Sequence, residues 1–170
     1  MKKIIAILIF GFIGTLIGKG CSYVVNQQVA KVDEKYEQNR ELFAKKYTLI
    51  YLYTDSLKKM CEPSGYVPTT FIEDFKIQFA STIQENNKYI DNLKDFEIFQ
   101  EELQILRNNA DKENTEAYNL LVRVLQQKIG KTYTLKEYCQ DMDTEKDKII
   151  QKSKKLLNSY KSPQQAFPNQ

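Results

Sequence analysis

Apolar positions along the chain follow two different patterns. From Ile4 to Gly18 they form an unbroken run behind Lys2 and Lys3, whereas from Val25 onward they recur at steps of three and four. The first pattern is that of a membrane helix or a secretory leader. The second is the period of helices that bury one face. Together they predict an all-α fold, an antiparallel bundle of about four helices behind an N-terminal membrane helix or signal sequence. The expected boundaries are a leader over 1–23, a bundle over 24–160 and an unstructured tail over 161–170.

The first helix is carried by Val25, Val29, Val32 and Tyr36 and, after a polar stretch, by Phe43, Tyr47, Ile50, Leu57 and Met60. Glu62 to Pro68 ends it, because two prolines and a glycine break the ladder of backbone hydrogen bonds. Residues 47–53 are the one short stretch with β character. Thr70 and Glu73 have the spacing of a capping box and predict the start of a second helix. Phe71, Phe75 and Phe79 then share a face, which reads as core, with a partner groove as the bolder alternative.

Between Asp91 and Phe96 the apolar spacing slips, which predicts a turn or kink. A third helix carries Phe99, Leu103, Leu106, Ala110, Leu121, Val124 and Ile129, with residues 108–116 polar enough to fray or break it. Gly130 closes it. Thr134 and Glu137 form a second capping box for a last helix through Tyr138, Met142, Ile150 and Leu157.

The fifteen residues from Ile4 to Gly18 span roughly 22 Å as helix, short of a ~30 Å hydrocarbon core. If Lys19 snorkels, the span extends through Val25 to roughly 33 Å, with Tyr23 near the interface. An uncleaved anchor is therefore the preferred form, with the membrane contacted through residues 4–25. A cleaved signal peptide is the second form. Gly20-Cys21-Ser22 resembles the end of a lipobox, which implies lipid on Cys21; this chain has Gly18 and Lys19 where that family has a branched aliphatic and a small residue. Lys2 and Lys3 argue for a cytoplasmic N-terminus and a body facing the periplasm or cell exterior, the inner membrane being preferred to the outer. Gly14 and Gly18 are spaced for close helix approach, which leaves a homo-oligomer open.

Formal charge is +3, from 25 basic and 22 acidic residues. Setting aside Lys2, Lys3 and Lys19, the two signs balance, so no nucleic-acid footprint is expected. Of the three cysteines, Cys61 and Cys139 are the natural disulfide pair in an oxidising compartment. An up-down-up-down bundle supports that pairing, since its first helix ends at the pole where its last begins.

The chain has no histidine and no tryptophan. The first absence removes Ser-His-Asp and Cys-His catalysis and histidine metal sites together. Glycine-rich phosphate and dinucleotide motifs are absent as well. Glu101, Glu102 and Asp74 read as solvated carboxylates rather than an acid-base pair. Asp141 to Asp147 fails as a calcium loop, with Lys146 at the glycine position and Lys152 at the position of the bidentate glutamate. No cofactor or metal is expected. These readings point to a binding module at the cell envelope, a secretion accessory or a toxin-immunity type, with another envelope protein as partner. Phe71, Phe75 and Phe79, or Tyr47 and Tyr51, are the candidate contact residues. The anchor plus first helix is also similar in layout to phage inner-membrane spanins, which implies a structural spacer as the alternative. A carboxylate-based enzyme is the third class.

Overall fold

A computed structural model describes residues 39–160. The leader, Cys21, the start of the first helix and residues 161–170 lie outside the described residues. Among the described residues every regular element is helical.

Helix α1 runs from residue 39 to Cys61 and contains a π-helical stretch, Leu52–Ser56, before its last α-helical turn, Leu57–Cys61. The β-prone residues 47–53 are thus helical, because tertiary packing overrides a local preference. A 3-10 turn, Glu62–Ser64, stops the helix, and Gly65 takes φ 73°, a conformation that favours glycine. Ser64 Oγ donates to the Cys61 carbonyl at 2.7 Å and accepts from Tyr66 N at 3.2 Å.

Helix α2, Thr69–Gln78, begins directly after Pro68, so Thr70 lies inside the first turn and does not cap it. The box expected from Thr70 and Glu73 is not formed. Asp143, far along the chain, takes its place: Phe71 N donates to Asp143 Oδ1 at 2.7 Å. A bend at Phe79 (φ −114°, ψ 20°) leads into α3, Ala80–Leu93. The turn foreseen at 91–96 follows, with Phe96 extended and its amide donating to Leu93 O at 3.0 Å.

Helix α4, Glu97–Ile129, is continuous through residues 108–116, a stretch polar enough to fray or break it. Ala110 and Asn114 from that stretch are buried against α1, so packing supplies what local propensity lacks. Gly130 closes α4 at φ 63°. Helix α5, Leu135–Thr144, opens on the predicted Thr134 and Glu137 capping box, both halves of which are present. A second bend, at Glu145, leads to α6, Lys146–Ser159.

Contacts along the rods give their directions. Phe43 near the start of α1 stacks on Tyr89 of α3 at 4.3 Å, while Tyr53 lies 5.8 Å from Phe71 of α2, so α2 and α3 run antiparallel to α1. Arg40 pairs with Glu102 and Tyr47 with Arg107, so α4 runs parallel to α1. Cys61 meets Cys139 and Lys45 lies over Tyr160, so α5 and α6 run back again. Two apolar cores result. One surrounds the disulfide and contains Leu57, Phe71, Phe75, Phe79, Tyr138 and Ile150. The other, toward the opposite pole, contains Phe43, Tyr47, Tyr51, Leu52, Phe99 and Leu103.

Candidate functional site

The residues expected to contact a partner are interior. Phe71 and Phe75 are fully buried and Phe79 is 2% exposed; successive rings lie 5.6 and 4.3 Å apart and form the spine of the disulfide core. Tyr47 and Tyr51 are 8% and 7% exposed. This corrects the contact-surface reading: helix-face periodicity identifies a buried face without saying whether the chain's own helices or another protein cover it, and here α1, α4, α5 and α6 cover it.

Cys61 and Cys139 stand at disulfide distance, with Sγ atoms 2.06 Å and Cα atoms 5.9 Å apart and both residues fully buried. Around them the acidic segment 141–147 serves the fold. Asp141 accepts from the Tyr133 hydroxyl. Asp143 accepts from the Tyr66 hydroxyl at 2.6 Å as well as from Phe71 N, and Lys146 reaches across to Asp74. The Tyr66 phenol is raised above its ordinary value chiefly by its hydrogen bond to Asp143. Burial first, and Asp141 second, raise that of Tyr133 further. Burial first, and Tyr53 second, push Tyr138 up to about 12.

A polar seam joins α1 to α4. Arg107 Nε donates to the Tyr47 hydroxyl at 2.7 Å, and Lys59 Nζ donates to the Tyr51 hydroxyl at 2.7 Å. Both cations lie over the Tyr51 ring, at 5.9 and 5.4 Å from its centroid. Lys59 also reaches Asp111 at 3.5 Å, and its ammonium is held above the ordinary value first by the Tyr51 hydrogen bond. Burial raises the Tyr47 phenol against the lowering effect of Arg107. Deeper in the seam, Asn114 Nδ2 donates to Leu52 O at 3.0 Å and Ser56 Oγ at 2.9 Å, which stitches α4 to the π-helical stretch. Thr54 Oγ1 donates back to Ile50 O at 2.8 Å. A π turn disturbs the regular ladder, and these buried hydroxyl and amide groups satisfy its carbonyls. The sequence hint of this seam was a polar residue, Asn114, one turn after Ala110 in a stretch that looked too polar to hold.

Beside the seam, α1 is left partly uncovered. A cleft of about 360 Å³ lies between α4 and α6, floored by Ala44, Leu49 and Leu52 and walled by Leu106 and Leu156. Its floor is mostly apolar but includes Thr48, and its rim is charged by Lys45 and Glu113.

Several of the described carboxylates serve structure. Glu137 is held below the ordinary range by its capping hydrogen bonds, and Glu41 by Lys45. A general acid requires the opposite displacement. Glu102 is paired with Arg40 and Asp74 with Lys146. Among the described residues no group of three or more cysteines, aspartates or glutamates is arranged to hold a metal ion, and no helix is long and apolar enough to cross a membrane. Comparison with known proteins finds no matching family model, curated protein or solved structure.

Proposed function

We propose that the protein is a cell-envelope binding module: a helical bundle held at, or exported across, a membrane by residues 4–25, which engages another envelope protein. The observation that carries the reading is the Cys61 and Cys139 pair at disulfide distance inside a helical body that follows a lysine-led apolar run. Disulfides persist in oxidising compartments and are rare where glutathione keeps thiols reduced. The body then faces the periplasm or the cell exterior. Binding rather than catalysis is supported by the absence of histidine from the sequence and by the use of Asp143 in a cap and Asp74 in an ion pair.

Intact mass of the native protein extracted from membranes, alkylated with and without prior reduction, tests this reading. A full-length mass supports the uncleaved anchor, and a chain beginning at Cys21 with added acyl mass supports the lipidated form. Alkylation of Cys61 and Cys139 only after reduction supports the oxidising compartment. Recovery in the soluble cytoplasmic fraction with both thiols free overturns the proposal.

A further inference from the structure

The cleft on α1 has an unequal rim. Lys45 at one end is already engaged: it pairs with Glu41 at 2.5 Å and lies 6.0 Å from the centre of the Tyr160 ring. Glu113 at the other end makes no ion pair among the described residues. Its charge stands close enough to half-buried Tyr53 to add to the rise that burial gives that phenol. Between the two ends the floor is Ala44, Thr48 and the buried Leu49 and Leu52, so the apolar surface open to solvent is chiefly that of the walls, where Leu156 is 44% exposed. From Ala44 to Tyr53 the floor runs about 13 Å along α1, the length of two to three helical turns.

We propose that this cleft is the docking groove for an amphipathic helix of a partner protein, one that lays apolar side chains at i and i+3 or i+4 between Leu106 and Leu156 and carries a lysine or arginine against Glu113. The proposal rests on the binding-module reading and names its site. Charge complementarity selects the occupant. An unpaired carboxylate at the edge of an apolar groove repels acidic segments and sets the register of a basic one, while the leucines supply non-directional burial.

The test uses the full chain in detergent and a random peptide display library, with synthetic fluorescent copies of the enriched peptides measured by anisotropy. Enriched peptides should share apolar residues at helical spacing followed or preceded by lysine or arginine. Leu156→Gln and Glu113→Lys should each weaken them about tenfold, the effect of roughly 1.4 kcal/mol. Ile77→Gln, at a 70% exposed position on α2, should leave them unchanged. Exchanging the basic residue of a peptide for glutamate should restore its binding to Glu113→Lys, which a merely structural effect of that substitution would not do. Peptides that bind equally well to both cleft variants overturn the groove and leave the binding-module reading standing. A chain that enriches no peptide counts against that reading itself. Tenfold tighter peptide binding after deletion of residues 161–170 assigns the cleft to the chain's own C-terminal residues and overturns the partner as its occupant.

Discussion

At the disulfide pole, Leu57, Phe71, Phe75 and Cys139 are completely buried around a covalent link, and polar groups sit at the margin as caps. At the other pole the core is built from Phe43, Tyr47, Tyr51 and Phe99, and polarity comes close to it: Asn86 of α3, one turn before Tyr89, is buried, and its Nδ2 has no partner among the described residues. An unmatched buried amide costs about 1–3 kcal/mol. The contrast teaches that the bundle is fastened at one end and left adjustable at the other. The cleft lies along the adjustable half of α1, where stability has less to lose from a bound segment.

Substitutions can break this contrast. Phe75→Ala should destabilise the protein by about 3–5 kcal/mol, since no neighbour can fill the space of a fully buried ring in a well-packed core. Tyr47→Phe, which deletes one hydroxyl hydrogen bond, should cost about 1 kcal/mol. Urea titration measures both, and equal losses would dissolve the distinction between the cores. Replacing Cys61 and Cys139 together by serine, which opens a link across 78 residues of sequence, should cost about 2–4 kcal/mol. Hydrogen exchange should then accelerate most in α2 and α5.

Asn114→Leu should cost about 1–3 kcal/mol by removing the Asn114 donor from Ser56 Oγ and leaving Leu52 O with the Leu57 amide alone, and circular dichroism with thermal melting reads it. A last effect is that of pH. Tyr138 titrates near 12 in the fold and near 10 when unfolded, so burial favours its neutral form. That stabilisation is complete below about pH 10 and declines between about 10 and 12. Tyr138→Phe should flatten this alkaline limb, and an unchanged limb would mean that the disulfide core is less dry than its packing indicates.

Much of the fold was legible because it is local. Thr134 and Glu137 cap α5 through groups three residues apart, Gly130 ends α4, and the slipped spacing before Phe96 marks a turn. The cysteine pairing was legible through topology. What escaped is non-local. Asp143 caps α2 from another helix, so Thr70 and Glu73 offered a sound motif that geometry did not use. The π-helical stretch and its Asn114 partner depend on two segments meeting, and no periodicity in either predicts it. The phenylalanine stripe was read correctly as core and wrongly as an alternative contact face, and Tyr47 and Tyr51 likewise face inward. The cleft has no sequence signature at all, because it exists where α4 and α6 fail to close over α1.

The disulfide also has a mechanical meaning. It joins the end of α1 to the first turns of α5, so residues 62–138 form a closed covalent ring whose strands of entry and exit are α1 and α5–α6. A pull applied between residue 39 and residue 160 can peel those two rods apart as far as the cysteines. Beyond that point tension passes from sulfur to sulfur, and α2, α3 and α4 carry none of it.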